Sequence, residues 1–240
     1  MRAAAAMSCG ALTKAGRARV GDDWQMSSPT PPGFYFGVMS PYSWLAAERI
    51  GRVLPAARWR GVLAGVVFKE HGRTSWGLTE RRAEGIADCE ARASEHGLGP
   101  IVWPEPWPTS DLLAGRAMAF CELRDRECAP ANGARDASKP GDSLLRTFAL
   151  AAMRMAFLEG ADLQPLDAVL EAGRRSEIDE FELREALSDQ RVKDELRAIT
   201  GEAIAVGVFG VPTVLVAGEL FWGDDRLRDA ASAYGASARA

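Results

Sequence analysis

Ser40 stands immediately before Pro41, after the apolar run Phe34-Tyr35-Phe36-Gly37-Val38-Met39 and ahead of Trp44, Leu45, Ala47, Ile50 and Val53 at helical spacing. Proline suits the first turn of a helix, where its missing N–H needs no partner. The spacing therefore puts Ser40 where a strand ends and a helix begins. A hydroxyl donor beside free helix N–H groups stabilises an anion; facing a thiol, it lowers the pKa and favours the thiolate. No His or Asp adjoins Ser40 to suggest a serine-hydrolase relay, and its plainer role is that of an N-cap.

Other chemistry-bearing residues are scattered. Asp224 and Asp225 open a helix, where carboxylates either offset the dipole or hold a cation. Lys69 and Arg60 are cations that could meet a carboxylate or stay solvated. Trp103 and Trp107, in Trp103-Pro104-Glu105-Pro106-Trp107-Pro108, could wall a pocket or serve as packing anchors. His71 and His96 lie near turns and read as surface residues. The four cysteines, Cys9, Cys89, Cys121 and Cys128, contain no C-x-x-C pair and fit no zinc template, so no metal site is expected.

The elements that must position these residues follow from the pattern. Phe34–Met39 reads as a buried strand and 41–54 as a helix ending at Pro55. Gly61–Phe68 reads as a second strand. Helical spacing returns over 80–95 and 111–123, around the Pro- and Trp-rich loop 97–108. Residues 124–143 read as a mobile surface loop, and Leu144 to Leu158 as an amphipathic helix ending at Gly160. Ser188 is the expected N-cap of a helix from about Asp189 that closes at Gly207. Val208–Val216 leads into a strand, Ala217-Gly218 turns it into Glu219–Trp222, and a last helix begins at Gly223-Asp224-Asp225-Arg226. The economical solution is an α/β fold: a mixed four-stranded sheet interrupted by a helical insertion.

Composition limits the possible partners. The 240 residues are 47% hydrophobic and 26% charged, enough for a sizeable core. Lys plus Arg is 29 against 33 Asp plus Glu, a net charge of −4, which lacks the basic footprint of a nucleic-acid binder or membrane-surface protein. No run approaches the length of a membrane span. Residues 1–25 lack the apolar stretch of a signal peptide, which points to a cytoplasmic protein with reduced thiols. Residues 1–32 read as a disordered extension, with Met26 an alternative start to Met1.

Three segments taken together carry a resemblance. They are Phe34-Tyr35-Phe36-Gly37-Val38-Met39-Ser40-Pro41-Tyr42-Ser43-Trp44-Leu45, Gly65-Val66-Val67-Phe68-Lys69, and Gly207-Val208-Phe209-Gly210-Val211-Pro212-Thr213 with Leu220-Phe221-Trp222-Gly223-Asp224-Asp225-Arg226-Leu227. Over about residues 34–229 the chain resembles the 2-hydroxychromene-2-carboxylate isomerases, relatives of the kappa-class glutathione transferases within the DsbA-like thioredoxin superfamily. The resemblance implies a thioredoxin-like domain from residues 33–75 and 205–235, with a helical insertion over 76–204. It implies a homodimer that uses glutathione on an aromatic acid in aromatic catabolism.

By the same resemblance Ser40 donates to the glutathione sulfur, and Val211 pairs its backbone with the cysteinyl unit before a cis Pro212. Asp224 and Asp225 hold the γ-glutamyl end, Asp225 being the firmer assignment, and Lys69 neutralises the glycyl carboxylate. Tyr42, Arg60, Trp103 and Arg116 fall to the substrate side. The expected reaction interconverts 2-hydroxychromene-2-carboxylate and trans-o-hydroxybenzylidenepyruvate by reversible thiolate addition. A kappa-like transferase or peroxidase and a non-catalytic thioredoxin-like binding module are the alternatives. Gly37 stands where relatives commonly have Asp, Gly61 where they often have Pro, and Ser110 where they often have Asn.

Overall fold

A computed structural model describes residues 30–128 and 143–237. The described chain runs β1 (Gly33–Phe36), α1 (Pro41–Val53), β2 (Arg58–Gly61), α2 (Ala64–Glu70), α3 (Arg82–Glu95), α4 (Leu112–Glu127) and α5 (Leu144–Glu159). It continues through α6 (Leu166–Arg175), α7 (Glu180–Ser188), α8 (Gln190–Ala205), β3 (Thr213–Val216), β4 (Glu219–Trp222) and α9 (Leu227–Ser237). Single 3-10 turns stand at Trp76–Leu78 and Asp224–Arg226.

The four strands form one mixed sheet in the order β2-β1-β3-β4. β1 pairs in parallel with β2, Phe34 opposite Trp59, and antiparallel with β3, Phe34 opposite Val214. β3 and β4 make the expected hairpin. Both faces of the sheet are covered, which is why β1 reads as a continuous apolar run rather than an alternation. Phe34 and Phe36 point with Trp44, Leu45 and Ile50 into the main core. Tyr35 points the other way, into a second core with Val62, Val67, Ile199, Ala203, Val208 and Val211. α1 and α9 pack on the first side; α2 and α8 pack on the second.

Several local expectations are corrected. β1 stops at Phe36, because Gly37 and Ser40 close a turn through Ser40 N to Gly37 O at 3.1 Å. The second strand is Arg58–Gly61 rather than Gly61–Phe68. The apolar residues after Val62 fold as α2, burying Val67 while leaving Val66 46% exposed. Asp189, not Ser188, caps α8, accepting from Arg191 N at 2.8 Å. Helices α6 and α7 were not among the expected elements. Residues 124–127 of the expected loop are the last turn of α4, and 129–142 lie outside the described residues. Of the expected extension, 1–29 also lie outside them, whereas Pro32 is buried and accepts from Arg58 N at 2.8 Å. Among the described residues no helix is long and apolar enough to cross a membrane.

Candidate active site

The first turn of α1, helix α2, helix α3 and the turn before β3 surround a cleft of about 1510 Å³. Ser40, Tyr42, Lys69, Val211, Pro212, Asp224 and Asp225 all line it.

Ser40 is the N-cap of α1 in extended backbone, with Pro41 as the first helical residue. Its Oγ accepts from Ser43 N at 3.3 Å, and Ser43 Oγ accepts from Gly37 N at 3.3 Å. The first turn of α1 contains no acidic residue. The positive end of a 13-residue helix therefore opens on the cleft without a carboxylate from its own turn. The Ser40 hydroxyl keeps its proton available for an anion while its lone pair caps the helix.

Val211 and Pro212 form the opposing backbone edge. Their peptide bond is cis, as the resemblance implied; the cis bonds at Glu105-Pro106 and Trp107-Pro108 were not foreseen. Gly223 N donates to Pro212 O at 2.9 Å and Thr213 Oγ1 to Gly210 O at 2.7 Å, which lock the turn to the hairpin. Among the turn and loop hydrogen bonds of the described residues, none satisfies the Val211 N–H or C=O. An extended backbone can pair there as an added strand.

The two adjacent carboxylates differ sharply. Asp224 is 2% exposed; Arg49 Nη2 donates to its Oδ2 at 2.7 Å and Arg92 Nη1 to its Oδ1 at 2.9 Å. Burial pushes the Asp224 carboxyl up, against the pull of Arg92 and Arg49. Arg92 Nε also donates to Asp88 Oδ2 at 2.9 Å, and Tyr42 OH donates to the same oxygen at 2.7 Å. Burial, then the bond to Asp88, raises the Tyr42 phenol, which stays protonated. Asp225 is 60% exposed, with Arg92 Nη1 at 3.9 Å, and is the one of the pair free to take an ammonium.

Lys69 lies exposed in the last turn of α2 on the cleft. The structure places three substrate-side residues away from the cleft lining. Arg60 pairs with Glu122 and Glu202 on the α4 and α8 side of β2. Arg116 donates to Leu187 O at 3.2 Å. Trp103 donates to Glu90 at 2.9 Å and packs on Trp76, Trp107 and Phe157. Trp107 does line the cleft, anchored by Nε1 to Met39 O at 3.1 Å.

Arg73, Trp76 and Asp111 also line it, and the sequence reading missed them. Arg73 donates to Phe209 O at 3.1 Å and lies 4.9 Å over the Trp222 ring; a loop arginine gives no periodic signal. No cysteine of the described residues lines the cleft: Cys89 and Cys121 are buried, burial pushing the Cys89 thiol up to about 12, and Cys128 is exposed elsewhere.

Comparisons with known proteins agree on the fold. The family model described as DsbA-like thioredoxin domain matches residues 138–235. No curated protein sequence matches the chain. Among solved structures, a 2-hydroxychromene-2-carboxylate isomerase is similar at 21% identity, covering 87% of this chain and 96% of its own, with a TM-score of 0.64. A probable DsbA oxidoreductase from Streptomyces coelicolor is similar at 17% identity, covering 85% and 89%, with a TM-score of 0.62. The cytosolic disulfide reductase DsbM from Pseudomonas aeruginosa, solved with GSH, is similar at 12% identity, covering 86% and 96%, with a TM-score of 0.51. The chain has a DsbA-like thioredoxin fold, its helix-start serine and cis-proline turn lining one cleft.

Proposed function

We propose that the protein is a glutathione-dependent isomerase of an unsaturated aromatic-derived acid, with 2-hydroxychromene-2-carboxylate and trans-o-hydroxybenzylidenepyruvate as the pair to test. The observation that carries this reading is Ser40, a hydroxyl at a helix N-terminus in a cleft that no cysteine of the described residues lines. Dithiol exchange, the chemistry named for several structural neighbours, needs cysteines where this chain has Ser40 and Ser43. A helix start with a hydroxyl in place of a thiol is suited to a thiol brought by a ligand.

The residues present fit glutathione. The Val211 peptide offers a backbone edge for the cysteinyl unit, Asp225 a carboxylate for the γ-glutamyl ammonium, and Lys69 a cation for the glycyl carboxylate. Bound glutathione supplies a thiol whose thiolate adds reversibly to a conjugated double bond. Ser40 donates a hydrogen bond to the sulfur, and the α1 N-terminus favours its negative charge. Trp76 and Trp107, with ring centroids 4.9 Å apart, supply an aromatic wall for a flat acceptor.

Calorimetric titration with glutathione, followed by a spectrophotometric assay of trans-o-hydroxybenzylidenepyruvate with and without glutathione, tests the reading. Binding with glutathione-dependent turnover supports it. Absence of binding overturns it, and binding with a stable conjugate as product replaces isomerisation by transfer.

A further inference from the structure

The cleft wall carries a carboxyl that the fold leaves unused. Asp111 stands at the N-cap position of α4, yet its side chain makes no capping bond. Ser110 Oγ takes that part, accepting from Leu112 N at 3.4 Å. The segment is pinned by its neighbours: Thr109 Oγ1 donates to Asp162 Oδ1 at 2.6 Å, and Ser110 N to Gln164 Oε1 at 3.3 Å. Gln164 N in turn donates to Asp162 Oδ1 at 2.9 Å. Asp111 is thus held in position while its carboxyl has no hydrogen-bond or ion-pair partner among the described residues.

Charged groups reach the cleft from other elements. Lys69 and Arg73 lie on and beyond α2, Arg81, Glu84, Asp88 and Arg92 on and before α3, and Asp224 and Asp225 after β4. None of them compensates Asp111. Asp111 is half-buried in the cleft wall, and burial pushes its carboxyl up to about 6, opposed only by its own peptide. An unpaired, half-buried carboxyl in a cleft is the environment of a general acid–base group rather than of a structural one.

We propose that Asp111 is the general acid–base of this cleft, giving a proton to the acceptor carbon that thiolate addition makes basic and recovering it when the thiolate leaves. The inference rests on the isomerase reading above. In the forward step the sulfur lone pair forms the S–C bond, the π pair of the acceptor moves to the adjacent carbon, and the Asp111 O–H proton forms the new C–H bond. In the reverse step the carboxylate takes that proton, the C–H pair restores the double bond, and the S–C pair returns to sulfur. No oxidant or further reactant enters.

Asp111→Asn and wild type are compared in three measurements: glutathione affinity by calorimetry, turnover of trans-o-hydroxybenzylidenepyruvate against pH, and the pH titration of 13C-carboxyl-labelled aspartates by NMR without ligand. The expected result is unchanged glutathione affinity, turnover lower by about a hundredfold or more, and loss of the wild-type alkaline limb. A carboxyl resonance titrating near 6 in wild type is expected to be missing from Asp111→Asn. Turnover of Asp111→Asn within about threefold of wild type, or an Asp111 resonance in the ordinary range near 4, overturns the inference alone. Failure of wild type to bind glutathione or turn over the acid overturns the isomerase reading and the inference with it.

Discussion

Arg49 grips Asp224 twice through one nitrogen: Nη2 lies 2.7 Å from the Asp224 carboxylate Oδ2 and 2.7 Å from its backbone oxygen. Arg92 holds the other carboxylate oxygen. Two neighbouring aspartates in the sequence therefore have separate work, Asp224 closing α1 and α3 onto the end of β4 and Asp225 remaining open to the cleft.

Asp224→Ala removes one partner from a largely buried cluster and leaves two guanidiniums facing each other, so it is expected to destabilise the fold by about 2 kcal/mol or more. Asp225→Ala is expected to change stability by less than about 0.5 kcal/mol and to weaken glutathione binding about tenfold, or about 1.4 kcal/mol. Urea unfolding and calorimetry on the two variants separate the effects; equal stability loss in both contradicts the assignment.

Gly37 is required by a close approach. A Cβ there would lie 2.8 Å from the Ala64 Cβ and 3.4 Å from Val211 Cγ2, and neither neighbour is the far end of a flexible side chain. Gly37→Asp is expected to cost about 2 kcal/mol or more through overpacking and burial of a carboxylate. Adding Ala64→Gly should recover part of that loss in denaturant unfolding. Gly37 thus goes with the tight seating of α2 against the turn after β1.

Asp111 also has a stability signature. Its native pKa is raised, from 3.8 to about 6, so the native state binds more protons than the unfolded chain between these values. Stability is then highest below the lower value and falls as pH rises through the window, by about 3 kcal/mol in full. Asp111→Asn is expected to melt higher than wild type at pH 7 and no higher at pH 4. A residue whose charge weakens the fold and caps nothing fits retention for chemistry rather than for packing.

Much of this arrangement was legible in the sequence, and the physical reason differs by element. The α1 start could be read because Pro41 and the following apolar spacing leave one reasonable place for a helix to begin, and Gly207 and Gly160 mark helix ends with positive φ. The strand expected at 61–68 was wrong because a run of Val and Phe has the same composition in a strand and in a short helix. Only the pairing of Arg58–Gly61 with β1 decides between them. Within the cleft, Ser40, Val211 and Asp225 belong to contiguous motifs. Arg73 and Asp111 come from loops and a helix start whose approach is set by tertiary packing. Arg60 and Arg116 show the converse: both are cations in familiar places, yet each is engaged by a nearby carboxylate or carbonyl away from the cleft.

Ser40→Cys tests the electrostatics of the helix end without any ligand. A thiol at this N-cap is expected to have a pKa near or below about 7, against about 8.5 for a free cysteine, read from the pH dependence of its alkylation rate. Cys89, buried and pushed up to about 12, should stay unreactive in the same experiment, and Cys128 provides the exposed internal reference. An ordinary pKa at Ser40→Cys contradicts a thiolate-stabilising site.

The most direct test of the account is the ultraviolet thiolate absorbance of glutathione bound to wild type and to Ser40→Ala, followed against pH. Loss of the cap should cost about 1 kcal/mol of stability, leaving a folded variant that binds glutathione. The account expects the bound thiol to ionise at clearly lower pH than free glutathione in wild type, with that shift reduced or lost in Ser40→Ala. Equal ionisation in the two proteins, or no glutathione bound by wild type, contradicts it.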